Sequence, residues 1–120
     1  MSTVLVVDAA NVVGSVPDGW WKDRAGAARR LHERLLVGDT SYDEIVLVLE
    51  GQAKGGVRAG RDAHVRTVHA GRDGDSEIRA QVDRALGAGH VVTVVTADRM
   101  LGANVSPAQV VSPSWLLDRV

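Results

Sequence analysis

Val4-Leu5-Val6-Val7-Asp8-Ala9-Ala10-Asn11 is the stretch on which the fold turns. Four apolar residues in succession read as a strand buried on both faces, as the strands of parallel sheets are. Asp8 closes the run. In open α/β sheets ligands bind at the carboxyl ends of strands, so an acid there stands at the expected site. A charge kept so near a core is costly unless it is used. The pattern returns late in the chain. Val91-Val92-Thr93-Val94-Val95-Thr96 leads through Ala97 into Asp98 and Arg99. The two runs predict adjacent, central strands whose acids face each other across one crevice. Carboxylates gathered in this way repel one another unless a cation joins them. The chemistry points to a hard divalent ion, Mg²⁺ or Mn²⁺.

Working outward, strands are expected at 3–7, 44–49, 65–69, 91–96 and 109–112. Helices fall between them. One spans about 20–37, with Ala28, Leu31 and Leu35 on a single stripe and Gly38 as its stop. Another spans about 76–86, with Ile78, Val82, Ala85 and Leu86 as its buried stripe. A short helix follows Asp98. The last starts at Ser112-Pro113, serine as cap and proline in the first helical position, and folds Trp115, Leu116 and Val120 back onto the sheet. Alternating strands and helices predict one three-layer α/β/α domain over residues 1–120, with a mainly parallel central sheet and right-handed crossovers. At least one of Trp20 and Trp21 is expected to anchor its helix in the core. The glycine-rich segment 51–60 shows no periodicity and is expected to be an irregular, mobile loop.

Composition excludes several classes. Aromatic residues make up 3% and phenylalanine is absent, a poor supply of base-stacking platforms for single-strand binders of the RRM or OB type. Without cysteine there is no disulfide, thiolate nucleophile or Cys-ligated zinc. The four histidines lack metal-ligand spacing. No serine sits in a nucleophile elbow, and neither a phosphate-binding Walker loop nor a GxGxxG motif is present. No apolar stretch is long enough to cross a membrane, and the opening residues lack the basic segment of a signal peptide. A cytoplasmic location is therefore expected. Net charge is −1, but residues 51–72 carry Lys54, Arg58, Arg61, Arg66 and Arg72 against the single acid Asp62. That local positive field suits a polyanion.

Further acids could join Asp8 and Asp98. Asp73, Asp75 and Glu77 crowd the start of the second long helix, more charge than capping requires. Asp75 is best placed to face the crevice, ahead of Asp73 and Glu77. Glu50 ends the second strand and would lie beside Asp8 if those strands are neighbours. Asn11 would stand next to Asp8. Each of these residues also has a plainer reading as a turn or cap residue.

In this order and spacing the segments resemble the NYN domains, a branch of the PIN-like ribonucleases, in their bacterial subgroup. The resemblance rests on Val6-Val7-Asp8-Ala9-Ala10-Asn11, Val48-Leu49-Glu50-Gly51, Gly74-Asp75-Ser76-Glu77-Ile78, Val94-Val95-Thr96-Ala97-Asp98-Arg99 and Val110-Val111-Ser112-Pro113-Ser114-Trp115. It departs at Ser76, where relatives often carry a second acid, and at Glu50, where they often carry Asp. The resemblance implies a metal-dependent endoribonuclease acting on single-stranded RNA. Asp8 and Asp98 would hold metal directly, and Asp75 directly or through water. Asn11 would orient substrate or water, while Lys54, Arg58, Arg61 and Arg99 would track phosphates. Two alternatives stay open: a metal-dependent phosphohydrolase of small nucleotides, and a non-catalytic RNA-binding domain on the same fold. Ala10 disfavours a haloacid-dehalogenase phosphatase, which would want Asp there. The oligomeric state is open, a homodimer included.

Overall fold

The computed structural model describes residues 2–120. Six strands form one sheet: β1 (Thr3–Asp8), β2 (Glu44–Leu49), β3 (Gly60–Asp62), β4 (Val65–His69), β5 (Val91–Val95) and β6 (Gln109–Val111), in the order β3-β4-β2-β1-β5-β6. All neighbours pair in parallel except β3 with β4. The strand order runs outward from β1 to β2 and β4, then reverses to β5 and β6. The reversal lies between β1 and β5, and such a switch point opens a crevice at the carboxyl ends of the strands. The two apolar runs are adjacent as expected, and β5 is interior, paired to β1 and β6.

Helices cover both faces, giving the α/β/α arrangement. On one face lie α1 (Ala9–Gly14), α2 (Arg24–Val37) and α5 (Pro113–Leu117); on the other lie α3 (Gly74–Gly87) and α4 (Arg99–Ala103). The pleat sorts the strand residues between them. Leu5, Val7, Ile45, Leu47, Leu49 and Val95 pack with Ala28, Leu31, Leu35 and Leu116. Val4, Val6, Val46, Val48, Val92 and Val94 pack with Ile78, Val82 and Leu101. Each fully buried aliphatic side chain contributes roughly 1.5–3 kcal/mol, so this two-sided burial fixes the register. A slip of one residue would carry Asp8 to the opposite face.

Three expectations need correction, and one helix was not foreseen. Residues 9–14 form that short helix: Asp8 caps it and Val12 is buried against the first face. The first long helix starts at Arg24, capped by Asp23, whose Oδ1 accepts from the Gly26 amide at 2.9 Å. Trp20–Lys22 is a separate 3-10 turn, Trp21 is 55% exposed and Trp20 half-buried, and neither belongs to the buried clusters. Gly51–Gly56 is a 3-10 helix packed on α2, not an irregular loop. A Cβ on Gly56 would come within 1.9 Å of the Ala25 carbonyl oxygen, so only glycine permits that backbone approach. The chain then turns into the edge strand β3, which periodicity could not reveal in three exposed residues.

Candidate functional site

Asp8, Glu50 and Thr96 share the sheet face covered by α3, because they continue the alternation of Val4-Val6, Val46-Val48 and Val92-Val94. All three stand at the carboxyl ends of their strands, at or beside the switch point. Asp8 is 5% exposed. Its Oδ2 accepts from the Asn11 side-chain amide at 2.9 Å and from the Thr96 hydroxyl at 2.8 Å. Its Oδ1 accepts from the Asn11 backbone N–H at 3.4 Å. Asn11 is itself held, its Oδ1 accepting from the Ala97 N–H at 3.1 Å. The Thr96 oxygen accepts from the Asp98 N–H at 3.1 Å. This network ties β1 to the turn after β5. Sequence reading placed Asn11 beside Asp8 but assigned Thr96 only to a strand. The available signal was its parity: a polar residue one step past Val95, on the same face as Asp8.

Burial pushes the Asp8 carboxyl above its ordinary range, the Thr96 and Asn11 hydrogen bonds oppose that rise, and the charge of Asp75 adds to it. Asp75 is also raised, first by partial desolvation and then by Asp98, Asp73 and Glu50. Although its surface is largely exposed, Asp75 thus lies within electrostatic range of both Asp8 and Asp98. Three separate elements thus bring acids within electrostatic range of one another.

The acids do not close into a cage. Among the described residues no three His, Asp or Glu side chains form a group placed to hold one ion. This corrects the expectation that Asp8, Asp75 and Asp98 stand within mutual bridging reach. The reason lies in the helix starts, each of which draws on a nearby carboxylate. Asp98 Oδ1 accepts from the amides of Met100 and Leu101 at 2.9 and 3.1 Å. Asp73, not Asp75, caps α3 through the Ser76 amide at 2.8 Å, which holds its carboxyl below the ordinary range. The Ser76 hydroxyl donates to the same carboxylate at 3.2 Å, so Ser76 serves the cap here. Glu50 Oε2 accepts from the Gly74 amide at 2.7 Å. A Cβ at Gly74 would stand 3.2 Å from that carboxylate, so glycine allows the close seat. Glu77 turns along its helix, accepting from the Gln81 side chain at 2.9 Å.

The donor chemistry nevertheless fits a hard cation. Mg²⁺ keeps several waters and is commonly held by only one or two carboxylates. Asp75 accepts no side-chain or cap hydrogen bond among the described residues, and Asp98 keeps Oδ2 free of one. Burial raises Asp8 and Asp75 first, and the repulsion from neighbouring acids that adds to the rise is what a cation would relieve.

The basic residues are divided. Lys54 lies in the 3-10 turn after β2 and Arg58 in the chain that follows; neither forms a salt bridge among the described residues. Arg99 opens α4 directly after Asp98 and is exposed. Arg61 is elsewhere. It sits in β3 opposite Arg66 and pairs with Glu44, the first residue of β2, toward the amino ends of the strands. The structure therefore does not bring Arg61 to the crevice.

A cavity of about 650 Å³ opens on the α1 and α2 side, and Glu50 is the one candidate acid that lines it. Ala10, Val13 and Ala28 form its apolar part, Trp20 a wall, and Arg24 and Arg72 its cationic rim. Glu50 borders both this cavity and the start of α3. Sequence reading did not foresee it, since its lining comes from five separate segments.

No helix among the described residues is long and apolar enough to cross a membrane. No protein-family model matches the chain, and no curated protein does. Among solved structures, the chain is similar to Rae1 (YacP) from Bacillus subtilis, in its W164L mutant, with 16% identity, a TM-score of 0.68, and coverage of 97% of this chain and 73% of that one. At this identity the likeness is one of fold, a mixed α/β sheet flanked by helices and consistent with the PIN-like architecture.

Proposed function

We propose that this chain is a divalent-metal-dependent ribonuclease that cleaves single-stranded RNA by activating water. The observation that carries the reading is the buried Asp8, held by Asn11 and Thr96 at the switch point, with Asp75 and Asp98 raising the local negative charge. A structural acid would not be buried and left facing like charge, since that arrangement costs stability. Mg²⁺ or Mn²⁺ would be held directly by one or two of Asp8, Asp75 and Asp98, and through bound water by the rest. When bound, the ion would supply a nucleophilic water at neutral pH and offset charge on the leaving oxygen.

The chain's own residues do the rest. Thr96 and Asn11 fix the Asp8 carboxylate in one orientation through two donors on the same oxygen. Asn11 in turn is fixed by the Ala97 amide, so its position beside the crevice is set before substrate arrives. Lys54, Arg58 and Arg99 make no salt bridge among the described residues and would bind phosphates without reading sequence. PIN-like architecture supports the reading at the level of fold.

A second reading, a binding-only domain, is favoured by one specific fact: Asp73 and Asp98 cap helices and Glu50 binds the start of α3. The deciding experiment is a cleavage assay on an unstructured RNA, with Mg²⁺, with Mn²⁺ and with EDTA. Metal-dependent shortening, lost in Asp8→Asn, is the expected result. Binding without shortening in either metal would favour the binding-only domain. Release of inorganic phosphate from mononucleotides, with RNA untouched, would favour a small-nucleotide phosphohydrolase.

A further inference from the structure

We propose that the 650 Å³ cavity bordered by Glu50 is a nucleotide-binding subsite, taking the base of an RNA residue next to the scissile phosphate. The inference rests on the ribonuclease reading for its RNA context, but its own evidence is separate. The volume lies within the range of small-molecule sites, roughly 300–1,000 Å³. Its interior is built from small side chains, Ala10, Val13 and Ala28, which leave room instead of filling it.

Trp20 is the informative member. The chain has three tryptophans, one tyrosine and no phenylalanine. Trp115 and Tyr42 pack against each other and against the core, with ring centroids 6.1 Å apart. Trp20 does not. It stands half-buried on a 3-10 turn introduced by Gly19, whose φ of 79° places it in the left-handed region. Trp21 meets it edge-on at 5.9 Å, and the Arg24 guanidinium lies 4.9 Å from its ring centroid. An indole spent on a cavity wall in so aromatic-poor a chain matches a stacking role. Base–aromatic stacking is worth about 1–3 kcal/mol and tolerates any base.

Charge selects the rest of the ligand. Arg24 and Arg72 stand at the rim, and the one acid there, Glu50, already accepts from the Gly74 amide. A planar ring with an attached anion satisfies wall and rim together, as a nucleoside phosphate does. Position agrees: Ala9 and Ala10 line the cavity and directly follow Asp8 in the chain. A base seated there would leave its phosphate at the Arg72 rim, beside Glu50 and the start of α3.

The test uses the full chain in EDTA, so that no cleavage enters. Isothermal titration calorimetry with the four nucleoside 5′-monophosphates should show saturable binding of at least one, with ribose 5-phosphate and inorganic phosphate at least tenfold weaker. Trp20→Leu and Arg72→Ala should each weaken binding about tenfold or more, which is about 1.4 kcal/mol. Ala10→Leu, an exposed position that fills the cavity without removing a packed group, should do the same while circular dichroism stays unchanged. The proposal is overturned if no monophosphate binds at millimolar concentration, or if Ala10→Leu and Trp20→Leu both bind as the parent does. The outcomes separate the two readings. Metal-dependent RNA cleavage unaffected by both substitutions sinks the subsite and leaves the ribonuclease. Trp20-dependent nucleotide binding in a chain that cleaves nothing keeps the subsite and sinks the ribonuclease.

Discussion

The corner where β1 meets β5 and the segment 51–58 that follows β2 both carry charge near the carboxyl edge of the sheet, yet they are built on opposite terms. At the corner every polar group is fixed from two sides: Asp8 by Thr96 and Asn11, Asn11 by Ala97, Thr96 by Asp98. In the segment, Lys54 and Arg58 make no ion pair among the described residues, and only the backbone is constrained, Gly56 against Ala25 and Val57 against His69. The difference is that between a preorganised site and a set of charges free to follow a substrate. It follows that damage at the corner should appear in turnover, and damage in the segment should appear in affinity.

The sharpest way to break this contrast is Asp8→Asn. Turnover should fall by more than the roughly 10–100-fold typical of groups that only support a ligand. Stability should move the other way. Burial raises the Asp8 pKa in the folded state, so ionised Asp8 costs stability at neutral pH. That cost is fully present above the folded pKa and disappears as pH falls below the ordinary carboxylate value. Thermal denaturation should therefore find Asp8→Asn more stable than the parent at pH 7, with the gain shrinking on acidification. A variant that is less stable at pH 7 and unchanged in turnover would make Asp8 a structural cap and nothing more.

Thr96→Val comes next. The swap keeps shape and removes the hydroxyl that donates to Asp8. A positioning residue of this kind should cost about 10–100-fold in kcat. The carboxyl loses a donor that lowers its pKa, so the acid limb of the pH–rate profile should shift to higher pH. An unshifted profile with kcat intact would mean that Asn11 alone orients Asp8.

The same contrast explains what could be read from the chain. Val4–Val7 and Val92–Val95 are buried on both faces, so their periodicity and the acids that close them follow from local pattern alone. Their adjacency follows from topology rules that need only element order. The segment 51–62 has no such constraint. Its turn depends on a backbone approach to Ala25, and β3 depends on pairing with β4, both of which are long-range events that three exposed residues do not encode. The short α1 was hidden because Val12 and Val13 favour strands by propensity, and tertiary burial of Val12 overrides that preference. At the site the residue types were legible, but their orientations were not. Which of Asp73 and Asp75 caps α3, and whether Asp98 spends an oxygen on α4, is set by helix phase, which one residue of uncertainty in a helix start is enough to scramble.

The segment offers a third, smaller effect. Lys54→Ala with Arg58→Ala should weaken RNA binding severalfold and lower the log–log salt slope by about 0.7 for each phosphate no longer neutralised. Arg61→Ala should leave both unchanged, since Arg61 pairs with Glu44 away from the crevice. Filter binding across a salt series reads both quantities. Equal effects from Arg61 and from the Lys54 and Arg58 pair would extend the RNA path to the sheet edge.

The smallest effect separates the cap from the site at Glu50. Its carboxylate accepts from the Gly74 amide, where negative charge favours a helix start. Glu50→Gln keeps an acceptor oxygen for that bond and removes the charge. If Glu50 only caps α3, stability should fall by about 0.3–1 kcal/mol. Turnover should then stay within a few-fold of the parent, because Asp8, Asp75 and Asp98 are untouched. Removing a charge that raises Asp75 should also lower the pKa of Asp75 and make it a better cation ligand at mildly acid pH. A metal titration of activity at pH 5 and pH 7 reads this directly: the variant should need less metal than the parent at the lower pH. A loss of turnover as large as that of Asp8→Asn, with stability unchanged, would instead place Glu50 among the groups that hold the ion, and the division between cap and site would move to Asp73 alone.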